Sequence, residues 1–279
     1  EKLNDLTKKK QLANRVGPFL LRRTKNEVAL DLPSKTEITR TVQFDNKQAA
    51  LYESIRLAMD KKIKDAIKTK GLAKSHILIL DALLKLRQTC CDPRLLKLDK
   101  AKSIKESAKL ELLMEMIPEL LEEGRRILLF SQFTSMLALI EEEFKKKDIS
   151  YLKLTGETIH RDRVIEEFKS GKANVFMISL KAGGFGLNLT EADTVIHYDP
   201  WWNPAVENQA TDRAHRIGQD KPVFVYRLIA ENTLEEKILL MQSRKKAIAE
   251  SVYKDETGEQ TIGLTAKEIE SLFAPAEKK

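Results

Sequence analysis

The chain has 279 residues, 42% of them hydrophobic and 33% charged, and carries a net charge of +7. That length can bury one large core, or a core with an appended subdomain, and the composition is that of an ordinary globular fold somewhat rich in charge. The longest apolar runs, ILLF and VFMISL, are far too short to span a bilayer, and the opening EKLNDLTKKK has no apolar h-region, so neither a membrane partner nor a secretory leader is expected.

In chain order, residues 1–100 hold 23 Lys/Arg against 12 Asp/Glu, a net of +11, and the remainder is net −4. A basic front of this kind fits a polyanion partner and equally a lysine-rich solvated helix face. DNKQAALYESIRLAMDKKIKDAIKTKG sets Leu51, Ile55, Met59, Ile63 and Ile67 at spacing four, one helical stripe that Asp45 or Asn46 can cap and Gly71 can end. Lys61, Lys62, Lys64 and Lys68 fall largely off that stripe. HILILDALLKLRQTC continues as a second helix until Pro93, which predicts an antiparallel helical hairpin. Cys90 and Cys91 are adjacent and cannot pair without straining the peptide between them. With four scattered histidines they form no metal-ligand spacing, so they read as buried thiols in a reducing compartment and no metal is expected.

From about residue 105 the rhythm becomes alternating helix and short apolar strand. A helix over 106–122 ends at Gly124, and RILLF follows as a strand. TSMLALIEEEFKKK is a helix with Thr134 as its cap, ISYLKL a strand, and RDRVIEEFKSG a helix ended by Gly171. NVFMISL and DTVIHYD are strands on either side of a glycine-rich loop. PAVENQATDRAHR is a helix with Asn203 as cap, Pro204 at its first position and Gly218 as its stop. VFVYRLIA is a strand, and TLEEKILLMQSRKKAIAESVY a helix whose Thr233 and Glu236 match a capping box. Short apolar strands with helical crossovers predict an α/β fold, a parallel sheet flanked by helices. Ligands of such sheets gather at the carboxyl ends of the strands, and the loops there (SQFT, LTGET, SLKAGGFGLNLT, YDPWWNP, IAENT) hold most of the distinctive residues.

In SLKAGGFGLNLT, the amides of Gly183, Gly184 and Gly186, flanked by Ser179, Lys181 and Asn188, can contact an anion. A dinucleotide fingerprint is excluded, because Leu189 stands at the third glycine position and the next strand follows too soon for a crossover helix. Trp201 and Trp202, the only tryptophans, sit side by side on one loop, so one can plug a gap between sheet and hairpin while the other meets nucleic acid. On the predicted helix, Gln209, Arg213 and Arg216 share a face, and the planar guanidinium fork suits phosphate. Taken alone, the same two arginines also fit surface ion pairs with Asp212 and Asp220. The chain contains no G-x-x-x-x-G-K-[ST], no G-x-S-x-G and no H-E-x-x-H, and thus no phosphate clamp of its own for a magnesium nucleotide.

LLFSQF, LTGET followed by Arg161, SLKAGGFGLNLTEADTVIHYDPWWNP and QATDRAHRIGQ resemble, in order and spacing, the second-lobe motifs of Swi/Snf-type DNA-dependent ATPases, superfamily-two helicases. GPFLLRRTKNEVALDLPSK and LRQTCCDPRLL resemble the linker and helical protrusion of that family, and LTAKEIESLF its C-terminal end. The resemblance implies a RecA-like second motor lobe over 105–230, a linker over 1–44, a helical protrusion over 45–104, and a brace helix and tail over 231–279. It makes Arg213 and Arg216 arginine fingers toward the γ-phosphate and puts Gln209, Asn188 and Gly186 near the nucleotide. Ser179, Lys181, Gly183 and Gly184 match the loop on the DNA backbone, Ser131, Gln132, Thr155, Gly156 and Arg161 further backbone-tracking positions, and Trp201 or Trp202 an aromatic of DNA engagement. The implied cofactor is ATP with magnesium, bound mainly by a first lobe absent from this chain. The implied partners are double-stranded DNA and that first lobe of the same polypeptide. The chain by itself is expected to be essentially inactive. An intracellular setting is implied, and LTGETIHR is similar to bacterial members, which favours bacterial cytoplasm or nucleoid. The alternative from a different class is a DNA-binding or protein-docking module without motor activity.

Overall fold

Among the described residues, six strands form a single parallel sheet: β1 (Lys35–Val42), β2 (Ile127–Ser131), β3 (Tyr151–Leu154), β4 (Val175–Ser179), β5 (Thr194–His197) and β6 (Val223–Ala230), in the spatial order β1-β6-β5-β2-β4-β3. The computed structural model describes residues 31–182, 186–252 and 266–275, together with Arg15. The described residues from Pro33 onward form one compact unit.

The helices that cover the sheet are α4 (Ala108–Glu122), α5 (Thr134–Lys146), α6 (Arg161–Lys169) and α7 (Pro204–Thr211). Every residue of β2, β4 and β5 is buried, which is why these strands read as unbroken apolar runs and not as alternating ones. Successive side chains leave a strand on opposite faces. Ile127, Leu129, Val175 and Met177 therefore pack with Leu113, Ile117, Ile140 and Phe144 of α4 and α5. Leu128, Phe130, Phe176 and Ile178 pack with Phe168 of α6 and Ala210 of α7. Each large side chain fully withdrawn from water here contributes about 1.5–3 kcal/mol.

A third cluster joins α1 (Asn46–Lys70), α2 (Leu72–Cys91), α8 (Leu234–Val252) and α9 (Ala266–Phe273). Of the predicted stripe, Leu51, Ile55, Met59 and Ile63 are buried and Ile67 is half-buried against the same cluster, and Lys61, Lys62, Lys64 and Lys68 are exposed. Asp45 caps α1 by accepting from the Gln48 amide at 2.6 Å. Gly71, the sole residue between α1 and α2, lies at φ 76°, ψ 165°, a conformation open essentially to glycine alone. Beyond α2 come a 3-10 turn (Pro93–Leu95) and the single turn α3 (Asp99–Lys102). Cys90 and Cys91 are free and fully buried.

Four local features differ from expectation. Residues 35–42, expected within the linker, form β1 and pair with β6 over eight positions, from Lys35 opposite Val223 to Val42 opposite Ala230. The N-cap of α5 is Phe133, with Thr134 as first helical residue and no side-chain cap. Thr233 caps α8 by accepting from the Glu235 amide, whereas Glu236 reaches past the cap to the Asn232 amide. The helix begun by Asn203 and Pro204 stops at Thr211, five residues before the expected end at Arg216.

Candidate functional site

All six strands are parallel, so their carboxyl ends share one edge. Ser131 and Ser179 are register partners on that edge, Thr155 and Gly156 follow β3, and Trp201 and Trp202 follow β5. Asp199, buried just past β5, organises the edge. Its Oδ1 accepts from the Ser131 hydroxyl at 2.5 Å, and its two carboxylate oxygens accept from the Gln132 amide at 3.3 Å each. Burial raises the Asp199 carboxyl above its ordinary range, and Arg87 and Ser131 draw it back. Arg87, from α2, stands 3.7 Å from Asp199 Oδ2 and donates to the Pro200 carbonyl at 2.6 Å. Its guanidinium is 5.2 Å from the Trp201 ring, 5.7 Å from Trp202 and 5.8 Å from Phe133.

The hydroxyl-bearing side chains of Ser131 and Ser179 are buried, at 1% and 3% exposure, and lie beneath the edge. Trp201 and Trp202 are both half-buried: Trp201 packs on the sheet cluster and Trp202 on the α1–α2 cluster. Between them they bridge sheet and hairpin. Gly156 and Lys181 are exposed, and Thr155, Arg161 and Gln132 are half-buried. The Gln132 side-chain amide nitrogen has no hydrogen-bond partner among the described residues. Gly183 and Gly184 lie outside the described residues.

The second group of residues lies along the trailing half of the β4–β5 connection. Gly186 is exposed at φ 37°, and Asn188 is exposed beside it. The Leu189 amide donates to the Arg213 carbonyl at 3.0 Å, and Arg213 Nη1 donates to the Leu187 carbonyl at 3.4 Å. Because α7 ends at Thr211, Arg213 and Arg216 sit in turns beyond the helix and share no helical face. Arg213 is buried and Arg216 exposed, yet they are close enough to feel one another: burial first, then the Arg216 charge, lower the Arg213 guanidinium below its ordinary value. Two like charges held together favour an anion between them. Gln209 is exposed on α7. The turn carrying the arginines is fixed by Gln219, whose side chain donates to the Ala192 and Ala214 carbonyls at 2.8 and 3.0 Å, and by Gly218 at φ 99°. His215 bonds to the Pro33 carbonyl at 2.8 Å, two residues before β1 begins. The turn carrying the arginines thus lies between the end of the β4–β5 connection and the residue two before β1.

Sequence reasoning missed Arg87, Asp199, Glu207 and Gln219 as organising residues. Glu207 accepts from the Trp201 amide at 2.6 Å and from Arg227 Nε at 3.1 Å, which pins α7 to the tryptophan loop. Asp199 and Gln219 stand inside YDPWWNP and QATDRAHRIGQ, so their motifs were visible while their roles were not. Among the described residues no three His, Cys, Asp or Glu side chains converge as a metal site, and no helix is long and apolar enough to cross a membrane. The donors present, two guanidinium groups beside a glycine-containing loop, fit phosphate oxygens.

Comparison with known proteins gives these features a context. Residues 108–218 match the helicase conserved C-terminal domain, and residues 3–95 match the SNF2-related domain. An uncharacterized ATP-dependent helicase of Mycoplasma pneumoniae is 40% identical over 268 residues, covering 94% of this chain and 25% of the relative. The putative ATP-dependent helicase/translocase YwqA of Bacillus subtilis is 38% identical over 284 residues, covering 98% of this chain and 30% of the relative. The chain therefore spans about a quarter of the length of these curated relatives, 25% and 30%. The C-terminal domain of the Sulfolobus solfataricus SWI2/SNF2 ATPase superposes with a TM-score of 0.62 at 35% identity, covering 81% of this chain and 91% of that one. The ATPase core of the same organism in complex with double-stranded DNA superposes with a TM-score of 0.65 at 36% identity, covering 89% of this chain and 53% of that one.

Proposed function

We infer the function from family membership, because this chain belongs to the SWI2/SNF2-type ATPases and matches their C-terminal helicase region. It is the second motor lobe of an ATP-dependent translocase that moves along double-stranded DNA. ATP and its magnesium are held mainly by a first lobe of the same polypeptide, and this chain completes the nucleotide site from across the cleft. Arg213 and Arg216 approach the γ-phosphate, with Asn188, Gly186 and Gln209 nearer the rest of the nucleotide. Lys181, Gly183, Gly184, Thr155, Gly156, Arg161 and Gln132 face the DNA backbone, supported from below by Ser131 and Ser179 and from the side by Trp201 and Trp202.

One observation carries this reading. The β4–β5 connection leaves the edge at Ser179, beside Ser131, and ends bonded to Arg213 through Leu187 and Leu189. A single segment thereby touches the DNA-facing edge and the arginine that reads phosphate, which is what coupling DNA contact to hydrolysis requires. Phosphoryl transfer is mainly positioning and electrostatic stabilisation, and an arginine finger contributes about 10³–10⁵ in rate. In the complete ATPase, Arg213→Ala should lower DNA-stimulated turnover by about 10³-fold while DNA affinity stays within a few-fold. Turnover that survives within about tenfold would remove Arg213 from the finger role.

A further inference from the structure

The hydrogen bonds and ring contacts of Arg87 point to a role that the motif residues do not cover. This side chain comes from α2 of the helical hairpin, 113 positions before the Pro200 carbonyl it bonds, and it is only 4% exposed. It enters a box whose walls are Phe133 after β2 and Trp201 and Trp202 after β5, at 5.8, 5.2 and 5.7 Å from the guanidinium. On the open side it donates to the Pro200 carbonyl at 2.6 Å and faces Asp199 at 3.7 Å. Asp199 in turn holds the Ser131 hydroxyl and the Gln132 amide. The Arg87 Nε is buried with no hydrogen-bond partner among the described residues.

We propose that Arg87 is a positioning residue that ties the orientation of the helical hairpin to the DNA-facing loops of β2 and β5. The inference rests on the motor reading above. The guanidinium touches both tryptophans, the Pro200 backbone and the carboxylate that sets the Gln132 amide. A shift of α2 therefore moves the DNA-facing edge, and a shift of that edge moves α2. Three aromatic rings and a carbonyl demand a planar, always-charged group here, and an ammonium cannot stack on the rings in the same way.

The test uses the complete ATPase with Arg87→Met and Arg87→Lys, and reads turnover without DNA, turnover at saturating double-stranded DNA, and DNA affinity. A positioning role predicts that Arg87→Met keeps DNA-free turnover within about twofold and DNA affinity within about threefold, while the DNA-stimulated increment falls by about tenfold or more. Arg87→Lys should lie between wild type and Arg87→Met, and it carries the same test where the methionine variant fails to fold. Equal proportional losses with and without DNA would mean a merely structural residue and overturn the proposal, as would a stimulated rate within about twofold of wild type. A wild-type protein whose turnover ignores DNA would instead overturn the motor reading, and this inference with it.

Discussion

At the residue scale, a neutral imidazole is built into the end of β5. His197 is 2% exposed, stacks on Phe130 with centroids 5.7 Å apart, and shares a 2.9 Å hydrogen bond with Thr211. Burial, followed by the charge of Arg227, lowers its pKa to about 3. An unfolded histidine titrates near ~6.5, so below that pH the unfolded chain takes up a proton that the folded one refuses. The stability is fully present above about pH 6.5 and is lost as pH falls toward the folded value, at roughly 1.4 kcal/mol per pH unit. Between pH 7 and 5 wild type should lose roughly 2 kcal/mol in urea unfolding, and His197→Gln should flatten that slope. Parallel curves for the two proteins would assign the acid sensitivity elsewhere. Glu37 and Glu141 do not compete in this window. Each is held at about 2 against the effect of burial, Glu37 by Lys35 and Arg227 and Glu141 by Lys153 and Tyr151, and their contribution is lost only at more acid pH.

At the scale of elements, two joints bear the weight. Lys109 of α4 and Glu235 of α8 form an ion pair at 2.8 Å with exposures of 0% and 1%, and Glu235 also accepts from the Ala230 amide. Removing one partner strands the other charge in the interior, so Lys109→Met should destabilise by about 3–5 kcal/mol, whereas Lys109→Met with Glu235→Leu should recover most of that. Denaturant unfolding of the single and double variants decides it, and a near-neutral single variant would show that Glu235 finds another partner. At the hairpin turn, a Cβ on Gly71 would meet nothing within 4 Å. The cost of Gly71→Ala is then backbone strain alone, about 1–3 kcal/mol, read as a lower thermal midpoint. Elements announced by periodicity, such as α1, α2, β2 and β4, were legible in the sequence because their burial is strong and regular. β1 was not: KTEITRTV has an exposed edge pattern with only Ile38 and Val42 half-buried, so almost no hydrophobic signal reaches the sequence. The end of α7 was misjudged because the Leu189 bond and the Gln219 bonds draw residues 213–219 into a turn, a tertiary pull that no local pattern records. For the candidate site, the motifs are visible in the sequence, whereas the burial of some of their residues and the exposure of others are not. Burial of Ser131 depends on Asp199, which lies 68 positions away in the chain.

At the scale of the whole molecule, charge and topology divide the work. The basic excess lies in the first hundred residues, and the exposed lysines of α1 add to the field without forming part of the site. DNA affinity of the complete ATPase should therefore fall by about 10²-fold or more between about 50 and 200 mM salt. Lys181→Ala should weaken binding uniformly across sequences and reduce the slope of log affinity against log salt by about one. An unchanged slope would remove Lys181 from the phosphate contacts.

Load on a folded chain travels through backbone. The chain enters the sheet through β1, whose eight residues are zipped lengthwise against β6 from Lys35 to Val42. Tension applied along that strand would act on all its ladder bonds at once, in shear, where a strand peeled from one end would yield them singly. The edge strand with the least hydrophobic signal in the sequence is thus placed to serve as a mechanical anchor, and single-molecule pulling along β1 should meet a higher rupture force than pulling across it.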